Sequence, residues 1–71
     1  MAKQSSEHTK LGDRIKEFRR KKDISQETLA EKVGVDRSYV GFLERGEKNP
    51  TLNTLIKIAK ALNVNLSALF E

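Results

Sequence analysis

The side chains in this sequence that are able to do chemistry are mostly carriers of positive charge. There is no Cys, which removes a thiolate nucleophile, a thiolate zinc site and a disulfide scaffold. The single histidine, His8, stands in a polar N-terminal stretch, which argues against His-based metal binding or acid–base work. The carboxylates recur at i,i+4 as Asp13 with Glu17 and Glu27 with Glu31, among basic residues on solvated helix faces. No Gly-rich phosphate loop, nucleophile–base pair or metal spacing is present. These observations argue against an enzyme and call for no cofactor. Recognition of a polyanion remains. Fourteen Lys and Arg oppose ten Asp and Glu, a net charge of +4. Residues 1–22 hold eight basic and three acidic groups, net +5, and residues 23–71 hold six and seven, net −1. The basic run 19–22 reads two ways: a solvated helix end whose cations complement the helix dipole, or a nucleic-acid contact.

A second set of candidates lies between residues 37 and 45. At about 100° per residue, a helix here turns Val40, Leu43 and Glu44 inward and Ser38, Phe42 and Arg45 outward. Arg37 opens the first turn, where a long side chain can swing out. An arginine bonds bidentately to guanine O6 and N7, a serine pairs with several base edges, and a phenyl ring meets a thymine methyl group. Gly41 has no side chain to block a close approach. Blander readings stay open: Arg37 on a phosphate, Ser38 merely solvated, Phe42 packed on a later helix if this one is rotated.

The elements that must hold these residues follow from periodicity and caps. Seventy-one residues make one small domain. No apolar run approaches the roughly 20 residues of a membrane span. The first ten residues lack a signal-peptide core, so the expected location is the cytoplasm. Residues 1–9 are polar and aperiodic, the composition of a flexible tail, and 10–71 form the domain. The spacing of Leu11, Ile15 and Phe18 predicts a helix over 10–22. Ser25 reads as the N-cap of a helix over 26–33, with Gly34 ending it. Asp36 reads as the N-cap of a helix over 37–45, which stops at Gly46. Thr51 caps a fourth helix, whose inward stripe is Leu52, Leu55, Ile56, Ala59 and Leu62. Asn65 caps a last short one. The expected fold is all-α, a compact bundle of five short helices.

Two short helices about a tight Gly turn, over 25–46, make the helix-turn-helix pattern, in which one helix braces another in the major groove. The stretches LGDRIKEFRRKKDISQETLAEKVGV, DRSYVGFLERGEKNPTLNTLIKIAKALNV and LSALF resemble the phage-repressor/Cro-like (Xre-type) helix-turn-helix family over residues 11–70. Within it, DRSYV and ERGEKNPTL look most like the controller proteins of restriction–modification systems. The resemblance implies a lambda-repressor-like DNA-binding domain. It places Gln26 on phosphate, Arg37 and Ser38 on base edges, and Tyr39 near the DNA or packed on the helix flank. Arg45, Lys48 and Asn49 fall in a phosphate-gripping loop. It also implies that Arg19 pairs with Glu44, whose inward carboxylate needs a cation.

The expected function is a sequence-specific, double-stranded DNA-binding transcriptional regulator. It acts as a homodimer on a two-fold operator, with its own promoter as a target, by blocking or contacting RNA polymerase. The expected dimer surface is Val64, Leu66, Leu69 and Phe70, more apolar area than one short helix can bury. These four can alternatively cap the monomer's own core. A competing function is an antitoxin- or coactivator-like interaction module with secondary DNA binding.

Overall fold

Capping and left-handed residues punctuate the chain. The computed structural model describes residues 6–71, with side chains from residue 9 onward. Four α-helices, α1 (Ser6–Lys21), α2 (Gln26–Val33), α3 (Arg37–Glu44) and α4 (Leu52–Leu62), precede a terminal 3-10 helix, Leu66–Phe70. The described residues contain no strand. Ser25 Oγ accepts from the Thr28 N–H at 3.0 Å to start α2. Thr51 Oγ1 does the same for Thr54 at 3.1 Å to start α4. Each such cap contributes about 1 kcal/mol. Gly34, at φ 86°, closes α2 in the left-handed region.

The helices meet on a core of Leu11, Ile15, Leu29, Ala30, Val33, Val40, Leu43, Leu55, Ile58, Ala59, Leu62 and Leu69. In it α2 lies against α3 and α4, while α1 lies against α3 and the terminal helix. No described helix is long and apolar enough to cross a membrane.

Three sequence readings change here, and a fourth, the Asp36 cap, holds in position without its side-chain bond. The first helix opens at Ser6, so residues 6–9 are helical instead of tail, and residues 1–5 lie outside the described ones. Those four positions are polar, so no apolar period marks them, and an existing helix extends at little cost. In α4 the inward face is Leu55, Ile58, Ala59 and Leu62, and Leu52 is 63% exposed. Leu52 fits the period but begins the helix, beyond the edge of the core. Asp36 occupies the cap position of α3 without any side-chain bond to its first turn. Leu69, assigned to the dimer surface, is fully buried in the monomer. A 3-10 helix repeats every three residues, so Leu66 and Leu69 stack on the core side and Phe70 turns outward.

Two contacts with no counterpart in the sequence reading fix α1. A Cβ on Gly12 would run into the backbone carbonyl of Leu43 and stand 2.6 Å from the carbonyl oxygen of Glu44. The bare Gly12 therefore lets α1 touch the backbone at the end of α3. Arg14 donates from Nε and Nη2 to the Ala68 carbonyl at 3.4 and 3.3 Å and lies 4.9 Å from the Phe18 ring centre. It straps the terminal helix to α1.

Gly12→Ala is expected to lower stability by about 1–3 kcal/mol in urea unfolding, despite the roughly 1 kcal/mol by which Ala outranks Gly as a helix former. At Gly41→Ala the nearest atom is Arg45 Nη1, the far end of a long side chain that can shift by a few tenths of an ångström, at 3.2 Å, so that variant is expected to be neutral or more stable. Equal losses at both positions would contradict the backbone contact at Gly12.

Candidate nucleic-acid interface

The interface is organised by a carboxylate. Glu44 ends α3, where the exposed carbonyls already carry partial negative charge and an anion is unfavourable. Its side chain is only 4% exposed. Three donors meet it: Arg19 Nε at 2.6 Å, Arg19 Nη2 at 3.1 Å and Gln26 Nε2 at 3.0 Å. Arg19 Nη1 also donates to the Ile24 carbonyl at 2.8 Å. The last turn of α1, the α1–α2 turn, the first residue of α2 and the last of α3 are thus joined at one point. Among the described residues no buried side-chain nitrogen or oxygen lacks a partner.

The pairing of Arg19 with Glu44 is the one that the family resemblance implies. Gln26 has a structural part that the sequence reading missed. Its amide donates to Glu44 Oε1, and no motif marks this contact: only a polar residue opening α2, with Glu44 turned inward on α3, hints at it.

The α3 residues divide as a helix on a core must. Val40 and Leu43 are buried and Tyr39 packs half-buried on the core, while Arg37 and Ser38 are exposed. Phe42 is half-buried and stands apart from the core cluster. Its ring carries two cations, with Arg45 Cζ 5.2 Å and Lys48 Nζ 5.6 Å from its centre. Gly41 is buried, and the space a Cβ would take borders Arg45 Nη1 at 3.2 Å and Gln26 Nε2 at 3.9 Å. The opening expected there for a base is covered by the Arg45 guanidinium. Past α3, Gly46 turns at φ 76°. Arg45, Lys48 and Asn49 are exposed on the loop that follows. Arg45 Nε reaches Glu47 Oε1 at 3.2 Å. Among the described residues neither Arg37 nor Lys48 is in an ion pair. At the other end, Val64 and Leu66 pack half-buried on the core, and Phe70 is 61% exposed beside Lys10, Leu11 and Glu71. Among the described residues no group of three or more acidic, His or Cys side chains is placed to hold a metal.

A bracing helix, a left-handed glycine turn and a second helix with a polar outer face define a helix-turn-helix domain. Residues 15–69 match the helix-turn-helix (HTH_3) family model, and the chain belongs to this family of transcriptional regulators. It is 46% identical over 59 residues to the control protein C.SmaI of Serratia marcescens, across 83% of this chain and 70% of that one. The crystal structure of the restriction–modification controller protein C.AhdI from Aeromonas hydrophila aligns at TM-score 0.90 and 45% identity, over 93% of this chain and all of that one. SinR, the master regulator for biofilm formation, solved in complex with DNA, aligns at TM-score 0.80 and 39% identity, over 86% of this chain and 98% of that one. The resemblance read from the sequence is borne out.

Glu44→Ala strands the Arg19 guanidinium, which is 12% exposed, and is expected to cost about 3–5 kcal/mol in chemical denaturation. Gln26→Ala removes one bond to a charged group and is expected to cost about 1.5–3 kcal/mol. Joint replacement of Arg19 and Glu44 by apolar residues should be milder than Glu44→Ala alone. An unchanged melting temperature for Glu44→Ala would show that this junction does not hold α3.

Proposed function

We propose that this protein is a sequence-specific regulator that binds double-stranded DNA as a homodimer on a two-fold operator. It controls transcription, its own promoter included, as the controller of a restriction–modification system. The observation that carries the reading is the outer side of α3. Arg37, in no ion pair among the described residues, and an exposed Ser38 stand on its first turn, ahead of a loop with Arg45, Lys48 and Asn49. The likeness to C.SmaI and C.AhdI supports the narrower role. Arg37 and Ser38 read base edges, with Tyr39 on their flank. Phe42 offers an apolar surface to a thymine methyl, and Gly41 gives the closest approach once the Arg45 guanidinium moves aside. Gln26, Arg45, Lys48 and Asn49 hold phosphates and set the register. Bound near a promoter, the dimer blocks or contacts RNA polymerase.

Arg37→Ala is expected to weaken the selected site by about 1–3 kcal/mol and to flatten base preference at one position per half-site. Lys48→Ala should weaken every duplex alike and reduce the salt slope by about one. Titration of both variants against a randomised duplex library distinguishes the roles. Arg37→Ala with intact base preference and a smaller slope would make Arg37 a phosphate contact.

One reader helix offers too small a contact to find a genomic site alone. Phe70, with Val64 and Leu66 behind it, forms the partner surface. Half-sites about 10 bp apart should be protected in a footprint. Sedimentation should give a dimer for the native chain and a monomer with weaker operator binding for Phe70→Glu. A native chain that stays monomeric at tens of micromolar and binds one per operator would refute the assembly.

A further inference from the structure

The loop after α3 contains an acidic residue where phosphate contact calls for cations. Glu47 is 39% exposed, and its Oε1 accepts from Arg45 Nε at 3.2 Å. The Arg45 guanidinium also lies over the Phe42 ring, its Cζ 5.2 Å from the ring centre, and its Nη1 borders the space beside Gly41, 3.2 Å from where a Cβ would stand. Arg45 is therefore folded back along α3 instead of extended into solvent, although its side chain is 55% exposed. The Glu47 backbone N–H donates to the Phe42 carbonyl at 2.8 Å, which fixes the carboxylate's base within reach. Lys48, next along the loop, also sits over Phe42 but has no carboxylate partner among the described residues.

We infer that Glu47 is an affinity-limiting positioning residue that competes with DNA phosphate for Arg45. In the free protein Arg45 is occupied by Glu47 and covers Gly41. Binding exchanges the carboxylate for a phosphate and uncovers the α3 backbone to the groove. The exchange leaves Glu47 unpaired beside a polyanion, so each protomer surrenders part of one favourable contact. A dimer does so twice, which keeps its hold on DNA reversible. An exposed ion pair is weak, so the effect is a trim of affinity. This inference rests on the proposed DNA-binding function.

The test is a two-by-two cycle of Glu47→Gln and Arg45→Ala, with Lys48→Ala as a second background. Each variant is titrated against the best duplex that the wild-type chain selects from a randomised pool. Glu47→Gln is expected to tighten binding about threefold to fivefold, the range open to an exposed pair. It should also steepen the salt slope by about one, and leave the melting temperature unchanged. The gain should vanish in the Arg45→Ala background and persist with Lys48→Ala. An unchanged or weaker Glu47→Gln complex would overturn the inference. So would an equal gain without Arg45, since Glu47 would then act by plain charge repulsion. A wild-type chain that selects and binds no duplex would refute the DNA-binding function itself.

Discussion

A single carboxylate at the end of α3 sets the terms for the rest of the molecule. Glu44 is buried where the helix dipole opposes it, and such a charge is tolerated only when donors enclose it. Arg19 and Gln26 enclose it from two other helices. Because the Arg19 fork also takes the Ile24 carbonyl, the turn into α2 is tied to the same atoms. The junction adds little to stability in itself, since an apolar trio of equal volume would serve as well. Its effect is positional: it fixes the end of α3 relative to α1 and the start of α2.

The outer side of the domain follows from that fixed end. With Val40 and Leu43 in the core, the helix period leaves Arg37, Ser38 and Phe42 facing out, and the chain emerges at Gly46 on the same side. Charge is then arranged by neighbours. Phe42 gathers Arg45 and Lys48 onto one ring, contacts worth about 0.5–1 kcal/mol each at an exposed site. The ring that looked surplus to the core is thus a support for cations on the outer side of α3.

Much of this was legible in the residue order because it is local. Ser25, Gly34 and Thr51 mark helix ends by chemistry that acts within four residues, and α2 runs over the interval that they predict. The period of Val40, Leu43 and Glu44 gave the inner side of α3. The illegible parts depend on distant chain segments. Gly12 matters for the backbone of residues 43 and 44, and nothing beside it in sequence reports that contact. Ile58 faces inward although it lies off the stripe that begins at Leu52, and Ile56, on that stripe, stays outside the core cluster, because the inward face of α4 is rotated about the helix axis from the expected one. Leu69 and Phe70, both read as partner surface, part company once the last helix winds at three residues per turn instead of 3.6. Gln26 looks like a surface amide until α3 brings Glu44 to it.

The bare contact at Gly12 has a consequence for how such a domain can change. It meets carbonyl groups, which every residue type shares, so the fit of α1 on α3 is indifferent to which side chains α3 displays to solvent. The bracing is thereby insulated from the outer face of α3. Positions 37, 38 and 42 can be exchanged without reworking the core, so one scaffold can carry many different outer faces.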